Sequence, residues 1–443
     1  MATECYTQLG FGFQPKLRVD FSGGALTSDA GLLLVREFDD RHQLTADVTR
    51  RVGDARDPRY ITHEVATLLR QRIYQIAAGY EDANDADRLR HDPTLQVVAG
   101  DGRAPLGSQP TLSRLENALD WTSLRRLSGV GVDWFCQYAY APREQPRELV
   151  LDLDSTDDPT HGAQQLALFH GGFGQHMYHP LCWFEGHTGL LLRTRLRPGR
   201  DRCATGAVED LQYLVPKLRR RFPGATLLLR ADAGMATPAV EAALEAQGIG
   251  YVLGIGVNAA FRRRVARLLA RAEARYARTR QPVQLRTSFR HRARSWPRQR
   301  RILVKLEVTA RGVNLRFMVS NRRGRAADLI AWYDARGTAE NWIKELKRDL
   351  HADRLSCHRY RANAVRLQLH TLAHLLLAYF RRGVLATTAL ADASVGTLRV
   401  RLFKVGACVR RTVRKLWFHL ASHWPGQDLF VACHRALARA APA

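Results

Sequence analysis

Cysteine is scarce in this sequence, and its positions exclude two common kinds of site. The seven Cys among 443 residues are odd in number and form no CxxC pair. The sequence therefore predicts neither a disulfide framework nor a zinc ribbon, and we interpret the cysteines as reduced thiols.

Long apolar runs are missing as well. The longest, at 372–380, contains His374, and it is much shorter than the roughly 20 residues that a membrane-spanning helix needs. The first residues, MATECYTQLGFG, show no basic segment followed by an apolar one. We therefore expect no export signal, no membrane partner and a cytoplasmic location.

Acidic residues are too few to balance the basic ones. The 42 Asp and Glu residues stand against 68 Lys and Arg, which gives a net charge of +26 and a pI near 10.6. Such a charge favours a polyanionic partner, and the arginine guanidinium pairs well with phosphate oxygens, so we predict nucleic acid binding. The alternative is that a GC-rich genome has enriched arginine without a structural reason. The hydrophobic fraction of 46% indicates a folded chain, and its length indicates more than one core.

The first 145 residues are predicted to be mainly helical. Residues 59–80 carry apolar side chains at helical spacing, and a further helix is expected near 111–119. Pro142 and Pro146 then mark the first boundary in the chain.

A strand pattern follows this boundary. In LVLDLDST, residues 149–156, apolar and polar side chains alternate, so that Asp152 and Asp154 share one face. The segments that follow show either the strand pattern or the helical pattern of apolar residues. Strands are predicted at 181–184, 189–196, 225–229 and 251–255, and helices are predicted at 207–221 and 238–247. This succession predicts a mixed α/β sheet.

Residues 260–318 differ in character and are interpreted as an insertion. An arginine-rich amphipathic helix precedes RTSFRHRARSWPRQRR, which has seven Arg in sixteen residues, and two strand-like runs follow, RILVKLEV and VNLRFMV. Arginine interleaved with aromatic residues favours DNA contact, while a solvated loop is the alternative. Helices are predicted again from 327 to 380, and a basic tail with VRRTVRK follows.

The strongest local signal is the segment YDARGTAENWIKELK. Tyr333, Arg336, Glu340 and Lys347 follow one another at steps of 3, 4 and 7 residues, which on a helix places them within roughly 60° of each other. An apolar stripe beside them would pack on the sheet and leave Glu340 at the sheet's edge. Gly337 marks the start of this helix or a kink in it. The alternative is an ordinary solvated helix face.

This segment, Y-x2-R-x3-E-x6-K, resembles the signature of the DDE transposases of bacterial insertion sequences. LDLDST resembles the strand of that family's first acid, and LLRADAG resembles the strand of its second acid. Four other blocks are similar to the insertion-sequence 1380 family in particular, and the likeness runs from about residue 21 to 380. The blocks are GYEDANDADRLRHDP, QPTLSRLEN, HPLCWFEGHTGLLL and LHADRLSCHRYRANAVRLQLHTLAHLLLAYF.

The resemblance implies an α/β fold with a ribonuclease H-like catalytic core, a helical N-terminal region and an inserted, arginine-rich, partly β subdomain. The implied domains are a DNA-binding region at 1–145, a catalytic core at 146–259 and 319–390, the insertion at 260–318 and a basic helical tail at 391–443. A bacterial, nucleoid-associated location follows from the same likeness.

The resemblance also implies the chemistry. Asp154, Asp232 and Glu340 would be the catalytic acids and would hold two Mg²⁺ ions, for which Mn²⁺ can substitute. Tyr333, Arg336 and Lys347 would bind DNA phosphates. The expected activity is cut-and-paste transposition: a homodimer binds the inverted repeats at the transposon ends, cleaves the DNA and joins the 3′-OH ends to target DNA. A hairpin intermediate is a further implication.

Several alternatives stay open from the sequence. Asp152 competes with Asp154 as the first acid, and Asp157 and Asp158 lie just beyond. His176, His179 and Cys182 show an H-x2-H-x2-C spacing that zinc could use, although packing or DNA contact is favoured. At the level of function, the alternatives are a domesticated or inactive DNA-binding protein and a related metal-dependent nuclease.

Overall fold

The computed structural model describes residues 8–54, 56–294 and 296–439, which divide into two compact units. Unit 1 holds the described residues of 8–119, 349–351 and 372–439, and unit 2 holds those of 120–348 and 352–371. Within this described part, no helix has the length and apolar content needed to cross a membrane.

Strands and helices occur in groups along the chain and alternate singly only over residues 207–279. In chain order the strands are β1 (Leu9–Phe11), β2 (Gln14–Val19), β3 (Leu26–Thr27), β4 (Glu148–Ser155), β5 (Asp158–Pro159), β6 (Leu168–His170), β7 (Gln175–Tyr178), β8 (Leu181–Glu185), β9 (Leu191–Arg195), β10 (Thr226–Ala231), β11 (Gly250–Ile255), β12 (Val283–His291), β13 (Arg300–Thr309), β14 (Gly312–Ser320), β15 (Ala407–Arg411) and β16 (Leu416–Leu420).

The α-helices, again in chain order, are α1 (Leu32–His42), α2 (Leu44–Arg51), α3 (Val65–Ala78), α4 (Ala86–Leu89), α5 (Pro93–Ala99), α6 (Gln109–Ala118), α7 (Trp121–Leu127), α8 (Val130–Tyr138), α9 (Ala207–Arg221), α10 (Pro238–Ala246), α11 (Ala259–Thr279), α12 (Ala326–Asp334), α13 (Gly337–Lys344), α14 (Tyr360–Val384), α15 (Val395–Leu398) and α16 (Gln427–Arg439). Two π-helical segments follow α13 and α15, at Glu345–Asp349 and Arg399–Phe403.

Unit 1 is built mainly from helices, in agreement with the helical periodicity of the N-terminal sequence. Helix α3 lies at its centre and packs against α2, α5 and α6. The apolar side chains that predicted this helix, among them Leu68, Leu69 and Ile73, are almost fully buried. The tail contains more than helix, because VRRTVRK forms the end of β15 and the turn that leads to β16, and β15 pairs with both β16 and β3.

One ion pair lies in the core of unit 1. Arg72 Nε on α3 is 3.1 Å from Glu116 Oε1 on α6, and both side chains are at most 1% exposed. The guanidinium also donates to the carbonyls of Tyr80 and Glu81. Since a charge in the core is tolerated only when it is paired and hydrogen-bonded, each partner depends on the other.

The sheet of unit 2 places parallel strands at its centre. Eight strands of the described chain form it, in the order β12-β13-β14-β11-β10-β4-β8-β9. The pairs β4–β10 and β10–β11 are parallel, whereas the pairs β4–β8 and β8–β9 are antiparallel. If the five core strands β4, β8, β9, β10 and β11 are numbered 1 to 5 in chain order, they stand in the sheet in the order 3-2-1-4-5. This is the strand order of a ribonuclease H-like core, so the predicted fold is confirmed.

Helices cover both faces of this core. On one face, Asp210 of α9 accepts hydrogen bonds from Trp183 of β8 and Arg193 of β9. On the other face, the Thr371 hydroxyl of α14 is 2.8 Å from that of Thr194. Successive residues of a strand point to opposite faces, so the neighbours Arg193 and Thr194 contact different helices.

The predicted insertion continues the core sheet. Strand β14 pairs antiparallel with β11, β13 pairs with β14, and β12 forms the edge. Helix α11 covers one face of these strands by packing Ala272 against Val283, Leu306 and Val308. Strand β12 was not predicted, since we interpreted RTSFRH by its arginines. The alternation of Val283, Leu285, Thr287, Phe289 and His291 was the signal for it.

Replacing Glu116 with leucine should destabilise the chain strongly. The Arg72 guanidinium would stay buried without its carboxylate, so we expect the free energy of unfolding to fall by about 3–5 kcal/mol. Denaturant unfolding of the purified chain measures this. The matched control is Glu37→Ala, which removes an exposed partner of Arg41 on α1 and should cost at most about 1 kcal/mol. Equal losses in the two variants would contradict the role given to the buried pair.

Candidate active site

Strands β4 and β10 bring two aspartates together at one edge of the sheet. Their parallel register sets Asp152 opposite Arg230 and Leu153 opposite Ala231. Asp154 follows Leu153 on β4, and Asp232 follows Ala231 at the end of β10, so the two aspartates are neighbours at the carboxyl ends of adjacent parallel strands. Open α/β sheets bind their ligands at this edge.

Asp152 points into the protein and is held by Arg230. Arg230 Nε and one terminal nitrogen lie 2.7 and 2.6 Å from the two carboxylate oxygens, and the two side chains are only 5% and 2% exposed. Gly186 leaves room for the pair, since a Cβ there would lie 2.7 Å from the Arg230 guanidinium. Asp152 is therefore a partner in a buried salt bridge, while Asp154 is the aspartate of β4 that lines a cavity.

The segment that carries the four-residue signature is broken. Tyr333 lies in the last turn of α12, Arg336 lies in the break, and Glu340 lies in the first turn of α13. Lys347 lies in the π-helical segment. The expected single stripe on one continuous helix was therefore wrong, whereas Gly337 does mark a helix start. Glycine is a poor helix former, and a π turn changes the angle between successive residues. The regular α-helical spacing therefore does not continue from Tyr333 to Lys347.

Asp154, Asp232 and Glu340 nevertheless line one cavity. It has a volume of about 460 Å³, and Arg336 and Lys347 line it as well. An adjoining cavity of about 490 Å³ shares the Asp232, Arg336 and Glu340 side chains. Tyr333, predicted beside them, lines this second cavity instead.

The Arg336 guanidinium stands between the two aspartates. Its nitrogens are 3.1 Å from Asp232 Oδ1 and 3.6 Å from Asp154 Oδ2. Burial raises the pKa of Asp154 to about 6, and the Asp232 and Glu340 charges act in the same direction, while Arg336 opposes them. The three carboxylates are thus close enough to influence one another, and Arg336 is the cation that offsets them.

Tyr333 positions Arg336 from the protein side. Its side chain is 7% exposed and packs with Val252, Leu303 and Met318. The Arg336 guanidinium lies 5.4 Å from the centre of the ring, which is within cation–π distance. Gly254 admits the phenol, because a Cβ there would be 2.8 Å from the Tyr333 hydroxyl oxygen.

Lys347 is tied to the segment that follows β4. Its Nζ lies 2.7 Å from Asp157 Oδ1 and 2.8 Å from the Asp157 carbonyl oxygen. Burial works to raise the pKa of Asp157, but the Lys347 ammonium outweighs it and holds the pKa below its usual value. Asp158 is buried, which raises its pKa well above the usual range. Neither competitor lines the cavity.

The histidine and cysteine segment is not arranged around a metal. His179 is buried with Nδ1 at 2.9 Å from the Asp201 carbonyl oxygen, and Cys182 is buried in β8 opposite Asp154. Across residues 8–54, 56–294 and 296–439, no three His, Cys, Asp or Glu side chains form a ready-made metal-binding group. Around the candidate acids, the guanidinium of Arg336 holds the central position.

Several residues near this site were not among those predicted from the sequence. Arg230 carried the clearest signal, because it precedes Asp232 by two residues just as Asp152 precedes Asp154. The others reach the cavities from separate parts of the chain, so local patterns do not reveal them. They are Arg316, Lys344, Arg348 and Asp353.

Stability measurements should separate the two aspartates of β4. Asp152→Ala leaves Arg230 buried without its partner, so we expect the free energy of unfolding to fall by about 3–5 kcal/mol. Asp154→Ala should change it by no more than about 1 kcal/mol, because burial already disfavours the charged carboxylate. Denaturant unfolding of the two variants under the same conditions measures both. A loss at Asp154 as large as that at Asp152 would contradict this division of roles.

The chain is similar to known transposases. No curated protein matches it. Among solved structures, the cryo-EM structure of a piggyBac transposase synaptic complex with hairpin DNA is similar, with 12% sequence identity and a TM-score of 0.44, over 85% of this chain and 80% of that chain. A family model described as transposase DDE domain, group 1, matches residues 9–442. The chain therefore belongs to this family of DDE transposases, as its sequence predicted, and is a DNA-cleaving enzyme.

Proposed function

We propose that this transposase carries out cut-and-paste transposition, with two Mg²⁺ ions held by Asp154, Asp232 and Glu340. The observation that carries the proposal is the convergence of these three carboxylates, from β4, from the turn after β10 and from α13, on one cavity. Mn²⁺ can substitute, because both ions accept carboxylate oxygens.

The donor set suits such ions. Carboxylate oxygens are hard ligands, which Mg²⁺ binds together with waters and substrate phosphate. The pKa of Asp154 responds to the charges of Asp232 and Glu340, so a cation among the three would offset a repulsion that the site already contains. The chemistry that divalent ions supply in such a site is activation of the attacking oxygen and stabilisation of the leaving one.

The basic side chains of the signature are proposed to bind DNA phosphate. Arg336 neutralises Asp154 and Asp232 in the DNA-free protein, and its fork can donate to a phosphate in the cavity. Tyr333 keeps the guanidinium in place through its buried ring. Lys347 has three ammonium donors and uses two acceptors of Asp157, so one donor is left for a phosphate.

The remaining parts of the proposal concern the assembly. The region 1–145 would read the inverted repeats, 146–259 with 319–390 would form the catalytic core, and 260–318 and 391–443 would add DNA contacts. A homodimer would hold the two transposon ends, the 3′-OH groups would attack target DNA, and a hairpin would form during excision. What supports these points is membership of the family and the charge of +26.

Removing any one of the three carboxylates should abolish the chemistry. For Asp154→Asn, Asp232→Asn and Glu340→Gln we expect the rate of cleavage to fall at least about a thousandfold, because bound metal contributes several kcal/mol to transition-state stabilisation. Single-turnover cleavage and strand transfer with Mg²⁺ on DNA that contains the transposon ends measures this. Mn²⁺ binding followed by electron paramagnetic resonance should weaken in the same variants.

The matched control is Asp353→Asn, another carboxylate that lines the cavity but lies outside the proposed triad. It should retain cleavage and Mn²⁺ binding close to wild type. Undiminished joining by any triad variant would overturn the assignment of that residue. Cleavage by the wild type without joining would favour a nuclease, and DNA binding without cleavage would favour an inactive DNA-binding protein.

Replacing Arg336 should maintain or increase the affinity for metal ions but lower the rate of DNA cleavage. In Arg336→Ala the carboxylates lose their internal cation, so we expect Mn²⁺ to bind the DNA-free protein at least as tightly as in wild type. Cleavage should fall about tenfold to a hundredfold, because a charge-assisted hydrogen bond to phosphate is lost. Arg336→Lys, which keeps the charge without the fork, is the control. Weaker Mn²⁺ binding by the alanine variant would show that Arg336 organises the acids instead of neutralising them.

A further inference from the structure

Three cations lie side by side across the outer strands of the sheet. The register sets Arg286 of β12 directly opposite Lys305 of β13, and Lys305 directly opposite Arg316 of β14. We call these three residues the cross-strand row. Directly opposite side chains of antiparallel strands share a face and lie about 5 Å apart, so like charges there destabilise the sheet. Such an arrangement costs folding free energy unless an anion offsets it.

The protein offsets only the middle charge. Lys305 Nζ lies 3.0 Å from Asp334 Oδ2, at the end of α12, and 3.4 Å from Glu307 Oε1. Arg286 and Arg316 are both exposed. Neither guanidinium has a hydrogen bond or an ion pair with any side chain or carbonyl of residues 8–54, 56–294 and 296–439. The two ends of the row therefore keep an unmatched positive charge.

The row begins at the candidate active site. Arg316 lines the 490 Å³ cavity together with Asp232, Arg336 and Glu340. Its charge is also felt at Tyr333, where it opposes the burial that raises the pKa of the phenol. Adjacent strands are about 4.8 Å apart, so Arg286 lies about 10 Å from Arg316 across the sheet. The row thus leads from the cavity toward the outer edge of the sheet.

We propose that the cross-strand row binds the sugar-phosphate backbone of duplex DNA beyond the reacting phosphate. This inference rests on the proposed function, because it assumes that the reacting phosphate enters the cavity at Glu340. Exposed guanidinium groups match phosphate oxygens in two parallel hydrogen bonds, and about half or more of the hydrogen bonds in protein–DNA complexes go to phosphate and sugar. The contact would hold the DNA in register, with equal strength for any sequence.

Salt dependence of DNA binding tests the proposal in the full-length chain. Arg286→Ala and Arg316→Ala should each weaken binding to duplex DNA by about twofold to tenfold. Each should also reduce the slope of log affinity against log salt by about 1, because one phosphate contact is lost. The double variant should lose about 2 from the slope, and the lysine variants should keep the slope. The matched control is Arg220→Ala, another exposed arginine of the same unit on α9.

The outcomes separate this inference from the proposed function. If wild type cleaves end-containing DNA but the two alanine variants keep the wild-type slope, the row is not a DNA contact and the proposed function stands. If Arg220→Ala lowers the slope as much, the effect is one of net charge and the assignment to the row is wrong. If wild type shows no salt-dependent binding to duplex DNA, the proposed function and the row both fail.

Discussion

The Arg230 side chain connects β4 and β10, the strands that lead to Asp154 and Asp232, with α12, the helix that precedes Arg336 and Glu340. It forms the buried salt bridge with Asp152 of β4 from its own strand β10. Its remaining terminal nitrogen donates to the Trp332 carbonyl at 2.9 Å, and its guanidinium lies 5.0 Å from the centre of the Trp332 ring. Trp332 belongs to α12, which leads into Arg336 and Glu340. One guanidinium therefore holds two strands and a helix in a fixed relation.

The salt bridge also explains why Asp154 and Asp232 meet. A shift of one residue between β4 and β10 would turn each side chain to the other face of the sheet, and Asp152 would then lose Arg230 in the core. An unpaired charge in that position costs several kcal/mol, so the register is strongly determined. Two residues beyond this pair come Asp154, on β4, and Asp232, directly after the end of β10. A structural ion pair thus determines where the proposed catalytic acids stand.

Helices and strands could be predicted from the sequence where the apolar residues of a segment follow one clear period. The prediction was incomplete where two patterns overlap in the same segment. Alternation identified β4, and helical spacing identified α9 with the bounds that the structure shows. The choice between Asp152 and Asp154 could not be made from β4 alone, because both share its face and the deciding partner, Arg230, lies 78 residues away. The break after Tyr333 was only partly predictable, since Gly337 signals a start but tertiary packing decides where α12 ends. Strand β12 was not predicted because Arg286 and Arg290 belong to an arginine-rich segment whose composition is typical of a loop, although the positions between them alternate as in a strand.

The charge balance of the cavity links DNA entry to metal entry in the proposed chemistry. Its described lining holds four carboxylates, Asp154, Asp232, Glu340 and Asp353, and four cationic side chains, Arg336, Lys344, Lys347 and Arg348. The formal charges of these eight side chains sum to zero. Under the proposed function, a phosphate in the cavity would add negative charge and would draw Arg336 to its own oxygens, so that Asp154 and Asp232 would lose their internal cation. Divalent cations would then bind more favourably, and by thermodynamic reciprocity bound cations would favour the phosphate to the same extent. In the proposed chemistry, the position of Arg336 between the two aspartates would therefore couple phosphate binding to metal binding.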